Sequence, residues 1–243
     1  SLIGALEGYY YRINKIYTKK IDFIITPSEF YKVKLIEDGV SGEKIEALHN
    51  FVELSKYDIK TSDEGYALYF GRLSKEKGIL NLINAFSMLK NGKLYIAGEG
   101  PEKENIENII KKNNMQEKVK LLGFLNSDEM KEHIRKCKFV VVPSIWYENC
   151  PYSVMETLAI GKPVIGADIG GIPELVKNNE CGLTYDYDNI TELSEKMKRM
   201  FEDKELIERF GKNAKKLATN LYGKELYYKK IANIYDKLVK GDK

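Results

Sequence analysis

Glu148 and Glu156 stand eight residues apart in the stretch Pro143-Ser-Ile-Trp-Tyr-Glu-Asn-Cys-Pro-Tyr-Ser-Val-Met-Glu-Thr-Leu-Ala-Ile-Gly-Lys-Pro163. An apolar run, Phe139–Val142, leads into this stretch and a short helical pattern leads out of it. Both carboxylates are therefore expected at a strand-to-helix crossing, where open α/β sheets bind their ligands. Carboxylates held there can accept hydrogen bonds from sugar hydroxyls. Glu156 is flanked by Val154, Met155, Leu158 and Ala159, which argues against a merely solvated charge.

A second segment, Gly71-Arg72-Leu-Ser-Lys-Glu-Lys77-Gly78, also lies between a strand pattern and a helix pattern. Gly71 permits a tight turn and close backbone approach. Arg72 offers a planar fork of donors for phosphate oxygens, and Lys77 a mobile point charge. The same residues could form only a solvated basic turn. The helix opening near Pro151–Ser153 presents orphan amides and a positive dipole end, which suits an anion, with Pro151 expected at its first helical position. Gly170-Gly171-Ile-Pro-Glu174 reads as another strand-to-helix turn. Gly98-Glu-Gly-Pro101 matches only part of a dinucleotide fingerprint. Asp186 and Asp188 are expected to cap the helix starting at Ile190 rather than hold a metal. His133 reads as solvated on a charged helix, and Cys150 has no histidine within reach by sequence to make it a nucleophile.

These residues need a scaffold that brings loops together. Strand-like runs occur at 22–26, 44–48, 66–70, 93–97, 118–122, 138–142, 163–167 and, more weakly, 182–185. Helical patterns alternate with them at 75–89, 102–113, 128–136, 153–160 and 173–177. Several strands are apolar on both faces, as strands covered on both sides must be. The alternation predicts an α/β fold with a doubly wound, parallel, Rossmann-like sheet. Helices follow at 190–201, 205–219 and 223–239, the second interrupted by Gly211. The polar, aperiodic segment 51–65 reads as a linker. Residues 1–50 read as the end of a preceding domain, because two strands make no stable sheet alone. Residues 66–222 then form the main domain, and 223–243 a helix expected to cross back. Apolar stripes at Leu2, Leu6, Tyr10, Ile13 and Tyr17, and at Tyr227, Ile231, Ile234, Tyr235 and Leu238, follow helical spacing. The tyrosine-rich first helix could also lie on a membrane surface.

Composition excludes other classes. Of 243 residues, 39 are Lys or Arg and 36 Asp or Glu, so a net charge of +3 gives no basis for nucleic-acid binding. Three scattered cysteines without metal spacing point to reduced thiols in the cytoplasm. No apolar run approaches the roughly 20 residues that span a bilayer. The chain opens on Ser1 within a helical pattern and reads as a piece of something longer.

Together the motifs resemble the C-terminal, donor-binding half of the family-4 retaining glycosyltransferases of GT-B fold, over about residues 22–222. The strongest marks are Glu148-x7-Glu156 followed by Gly161-Lys-Pro-Val164, then Gly170-Gly-Ile-Pro-Glu174, then Gly71-Arg-Leu-x3-Lys77-Gly78. Ile25-Thr-Pro-Ser28, Asn50-Phe-Val-Glu53, Gly98-Glu-Gly-Pro101 and Leu122-Gly-Phe124 add to them. The resemblance implies a nucleoside-diphosphate sugar as donor substrate, with no metal or separate cofactor. It implies that Arg72 and Lys77 bind the diphosphate beside Gly71, that Glu156 binds the ribose and that Glu148 meets the donor sugar. The base would lie near the backbone of Gly123 and Phe124, and the loop Asn149, Cys150, Pro151, Tyr152, Ser153 would contact sugar and phosphate through its backbone. A glycan or glycolipid acceptor would bind a missing N-terminal domain, so the chain alone is expected to bind donor and transfer little. The family's usual Phe-Gly after the first glutamate is replaced by Asn149-Cys150-Pro151. Synthesis at the inner membrane face, with peripheral association, is the family-level expectation. The alternatives are a non-catalytic nucleotide-sugar-binding subunit of a split enzyme and a sugar-nucleotide epimerase of the same fold.

Overall fold

The computed structural model describes residues 2–14 and 20–241. The chain divides into two units, Ser1–His49 and Asn50–Lys243. In the first, helix α1 (Leu2–Asn14) precedes a β-α-β element: β1 (Ile24–Thr26), α2 (Glu29–Glu37) and β2 (Ile45–Ala47). The two strands pair in parallel with Ile24 opposite Ile45. Ser28 caps α2 by accepting from the Tyr31 amide at 3.2 Å. Leu6, Tyr9 and Tyr10 of α1 are exposed, and Tyr17 lies outside the described residues.

The second unit is a six-stranded parallel sheet. Its strands are β3 (Tyr66–Phe70), β4 (Lys93–Ala97), β5 (Val119–Gly123), β6 (Phe139–Val142), β7 (Val164–Ala167) and β8 (Gly182–Tyr185). They lie in the order β5-β4-β3-β6-β7-β8. The helices are α3 (Ile79–Ser87), α4 (Lys103–Lys112), α5 (Ser127–Lys136), α6 (Tyr152–Ile160), α7 (Ile172–Val176), α8 (Ile190–Glu202), α9 (Lys204–Leu221) and α10 (Lys224–Lys240). All four residues of β6 and all four of β7 are buried, because helices cover both faces of the sheet. All eight expected strands are present to within two residues at each end. The chain winds outward through β3, β4 and β5, returns to pair β6 with β3, and winds the other way. The loops after β3 and β6 therefore open side by side, at the point where the strand order reverses.

Several expectations need correction. The segment 51–65 contains a 3-10 turn, Leu54–Tyr57, and its Val52 and Tyr57 are buried in the core of the second unit. Helix α9 runs unbroken through Gly211, where a side chain would come within 2.7 Å of the Gly161 carbonyl; the glycine serves the close approach of α9 to the end of α6. The cap of α8 is Asn189, which accepts from the Glu192 amide at 3.0 Å, rather than either neighbouring aspartate. His133 is half-buried, edge-on to the stacked rings of Tyr66 and Tyr95, and not solvated. Burial is the main cause that lowers its pKa.

The mark Gly161-Lys162-Pro163 also has a packing reason. Gly161 ends α6 in the left-handed region at φ 87°. Lys162 is then buried, and its Nζ donates to the carbonyls of Ser62 and Cys137 at 2.6 Å each. It ties the approach to β3 to the approach to β6. In α10, Ile234 is buried and Tyr227 packs on Phe51 with ring centroids 4.9 Å apart, while Tyr235 and Leu238 are exposed.

Candidate functional site

Three loops at the carboxyl ends of β3, β6 and β7 converge on Glu148. After β3, residues Lys75–Lys77 form a 3-10 turn closed by Gly78 at φ 66°. A side chain at Gly78 would lie 1.8 Å from the Pro143 carbonyl, so only glycine lets this turn rest on the loop after β6. The Ile145 amide donates to the Glu76 carbonyl at 3.0 Å and closes the contact. Lys77 Nζ then reaches Glu148 Oε1 at 2.5 Å, and Ser144 Oγ donates to the same oxygen at 2.8 Å. After β7, the Gly171 amide donates to the Glu148 carbonyl at 2.7 Å, and a side chain at Gly170 would lie 2.4 Å from that carbonyl. The Glu148 side chain retains 17% of its exposure, so the pair remains open to a ligand.

The loop after β4 supports the first of these. Gly71 and Leu73 donate their amides to the carbonyls of Ala97 (3.1 Å) and Glu99 (2.9 Å). Side chains at Gly98 and Gly100 would strike the carbonyls of Gly71 and Leu73. The Gly98-x-Gly100 pattern is thus the print of one loop lying on another, with no phosphate needed to explain it. Arg72 is exposed beside it, and its carbonyl accepts from the Tyr69 hydroxyl at 2.7 Å. The Glu76 carboxyl is held below the usual range by the Ser74 hydroxyl first, with Arg72 and Lys77 adding to the effect.

Helix α6 opens at the same edge. Pro151 is its N-cap (φ −67°, ψ 121°), one position earlier than expected, and no side chain caps the helix. The Pro151 carbonyl accepts from Val154 at 3.1 Å, but the amides of Tyr152 and Ser153 have no acceptor within the helix. Asn149 and Ser153 are half-buried and Tyr152 is exposed. The Cys150 thiol is buried against the Met155 sulfur at 3.5 Å, and burial pushes it up to about 11, which excludes a reactive thiolate.

Glu156 lies one turn into α6, beside a cavity of about 210 Å³ lined by Tyr57, Phe70, Leu125, Asn126, Met130 and Lys131. The Tyr57 hydroxyl donates to Glu156 Oε1 at 2.8 Å. Burial raises the Glu156 carboxyl, while the Tyr57 bond and the charge of Lys131 act in the opposite sense. Glu148 and Glu156 have separate partners: Lys77 and Ser144 for the first, Tyr57 for the second. The cavity takes its wall from Leu125–Ser127 rather than from Gly123 or Phe124, and the Phe124 side chain is 76% exposed. Sequence reasoning missed Tyr57 because it sits in the segment read as a linker; an aromatic set among the polar residues after Glu53 was its signal. Two wider depressions lie elsewhere, one along Glu195–Glu205 and one beside Lys162 and Lys215 at the amino ends of the strands. Among the described residues, no group of three or more His, Cys, Asp or Glu could hold a metal ion, and no helix is long and apolar enough to cross a membrane.

Comparison with known proteins extends this geometry. An uncharacterised glycosyltransferase of Methanocaldococcus jannaschii is 30% identical over 218 residues, 86% of this chain and 55% of its own length. The N-acetylgalactosamine-N,N'-diacetylbacillosaminyl-diphospho-undecaprenol 4-alpha-N-acetylgalactosaminyltransferase of Campylobacter jejuni is 33% identical over 205 residues, 81% of this chain and again 55% of its own length. The chain thus spans about half the length of these relatives. Among solved structures, Anabaena HepE in complex with UDP superposes with a TM-score of 0.83 at 22% identity, over 89% of this chain and 64% of that one. A glycosyltransferase from Rickettsia africae gives 0.83 at 21% identity, over 95% of this chain and 67% of that one. At these identities the likeness establishes the shared fold. The family model of the glycosyl transferases group 1 matches residues 53–217, from just before the turn that carries Tyr57 into the last third of α9. A parallel sheet with its loops closed on Glu148, and a family match over two thirds of the chain, agree: the chain belongs to the group 1 glycosyl transferases, of GT-B fold.

Proposed function

We propose that this chain is the donor-binding part of a retaining, family-4 glycosyltransferase that moves a sugar from a nucleoside diphosphate to a glycan or lipid-linked acceptor. The observation that carries this reading is the convergence of Lys77, Glu148 and the uncapped start of α6 at one sheet edge, with Glu156 beside an adjoining cavity. Anabaena HepE, of the same fold, has been solved with UDP and with UDP-glucose, which supports a nucleotide-sugar donor here.

In this reading the diphosphate lies against the Tyr152 and Ser153 amides, with Arg72 and Lys77 above it. The ribose diol meets Glu156, and the donor sugar meets Glu148. As the glycosidic bond breaks, its electron pair goes to the leaving phosphate. The acceptor hydroxyl oxygen bonds to the anomeric carbon on the face the phosphate leaves and gives its proton to the departing phosphate oxygen, which retains the configuration. The growing phosphate charge is met by donors already aimed at it, and loss of one such donor commonly costs about 2.7–4 kcal/mol of barrier stabilisation. Lys77 can serve both partners, because its ammonium carries three donors and Glu148 occupies one.

Residues 1–50 are the end of an acceptor-side domain in this reading, and 66–222 the donor domain. The chain alone binds donor and transfers little, since the acceptor wall is supplied by the remainder of a whole enzyme. Its setting is the cytoplasm, with a lipid-linked acceptor met at the inner face of a membrane. The test is a thermal-shift panel of UDP, GDP, ADP and their sugars. One nucleotide series is expected to raise the melting temperature, by the amount that ligand binding to the folded state requires. No shift with any of them overturns the reading.

A further inference from the structure

We infer that Tyr57 is a positioning residue for Glu156: its hydroxyl fixes Oε1, so that Oε2 is presented to the vicinal hydroxyls of a ribose. This rests on the ribose assignment made above. The Tyr57 ring is buried in the core, and its hydroxyl donates to Glu156 Oε1 at 2.8 Å. Among the described residues Glu156 Oε2 has no hydrogen-bond partner, yet the side chain lines the cavity. One oxygen is thus held and the other is open.

The hold is rigid for a structural reason. Lys215 Nζ donates to the carbonyls of Tyr57 (3.2 Å) and Ala159 (2.9 Å). It therefore clamps the Leu54–Tyr57 turn to the end of α6, the helix that bears Glu156. A half-buried carboxylate with no donor would rotate and would also tend to take up a proton. The Tyr57 hydroxyl opposes both. The charged and titratable groups acting on Glu156 are Tyr57 from the 3-10 turn and Lys131 from α5. Lys131 is paired with Asp128 at 2.9 Å, and its Nζ sits 5.7 Å from the centre of the Tyr57 ring. A ribose diol donates two hydrogen bonds, and an oriented carboxylate can accept both, whereas a 2′-deoxyribose offers only one.

The test measures binding of UDP, GDP and ADP, and of their 2′-deoxy counterparts, by titration calorimetry. Wild type is compared with Tyr57→Phe, Glu156→Gln and Lys215→Met. Hydrogen bonds to charged groups correspond to about tenfold in affinity each. Wild type is expected to prefer the ribonucleotide by about that factor. Tyr57→Phe and Glu156→Gln are each expected to erase most of the preference, with deoxynucleotide affinity falling less than ribonucleotide affinity because the deoxyribose keeps only one hydroxyl for the carboxylate. Lys215→Met, which loosens the same turn from its far side, is expected to lower the ratio in the same direction. Affinity for the ribonucleotide is also expected to be lost at a higher pH in Tyr57→Phe than in wild type, because the carboxyl has lost a group that keeps it ionised. A merely structural tyrosine would weaken both nucleotides alike and leave the pH profile in place. An unchanged ribo-to-deoxy ratio and pH profile in Tyr57→Phe overturns the inference while the nucleotide site stands. If no nucleotide binds wild type, the site reading and the inference fall together.

Discussion

Glu156 is charged at the expense of the fold. Burial pushes its carboxyl above the ordinary glutamate range. Between the ordinary and the raised pKa, the unfolded chain binds fewer protons than the folded one, so stability falls as pH rises through that window and stays lower above it. Glu156→Gln removes the charge and keeps an acceptor for Tyr57. We expect its melting temperature near neutral pH to equal or exceed that of wild type, by about 2–4 °C for each kcal/mol gained, while the nucleotide-induced shift becomes smaller. A lower melting temperature without nucleotide would make the carboxylate a structural group instead. Arg72 is a different case: it is exposed, so Arg72→Ala should change stability by no more than about 0.5 kcal/mol. Its effect should fall on affinity for the nucleoside diphosphate, largest at low salt and shrinking as salt screens the charge. Equal affinity in titrations of wild type and variant at low salt would remove Arg72 from the diphosphate site. Both glutamates and the two cations were legible as residue types, since ligand-binding loops carry polar groups that a core cannot use. Tyr57 was not, because its importance lies in a hydroxyl that meets a residue 99 positions away.

At the scale of elements, the site is held by contacts of backbone on backbone. Gly170 has φ 64°, and any side chain there would meet the carbonyl and amide of Glu148 at 2.4 and 2.8 Å. Gly170→Ala should therefore destabilise the protein by about 1–3 kcal/mol, or several degrees in melting temperature. It should also weaken nucleotide-sugar binding more than nucleotide binding, because the loop it displaces carries Glu148 and not Glu156. Calorimetry with both ligands separates the two effects; equal loss for both would show that the displacement spreads into α6. The helices themselves follow from local sequence. In α5, Asn126 and Glu129 form a reciprocal capping box, and Asn189 and Asp203 cap α8 and α9. The limits of α6 were less legible, since Pro151 stands before the first helical residue and leaves the helix end open.

For the whole molecule, the core of the second unit shields all three thiols. Burial pushes Cys137 and Cys181 up to about 12 and Cys150 up to about 11. We expect the native protein to resist a thiol reagent near neutral pH, and all three cysteines to react together on unfolding in denaturant. Rapid reaction of Cys150 alone in the native state would mean that the loop before α6 opens locally, and bound nucleotide should then suppress that reaction.

Alternating apolar runs and helical patterns were enough, in the amino-acid order alone, to set out eight strands, the helices between them and a parallel doubly wound sheet, because period and turn chemistry are local properties of the chain. The same order carried the spacing of the Glu148 and Glu156 motif and the glycines around it. It could not say which loops meet. That depends on the strand order, which pairs β6 with β3 rather than with β5 and so carries Lys77 across 71 residues to Glu148. Nor could it show that Gly98 and Gly100 serve a neighbouring loop, that Gly211 serves a helix crossing, or that a tyrosine in a polar stretch is buried against a carboxylate. Each of these is a contact between distant segments, and such contacts exist only once the chain has closed on itself.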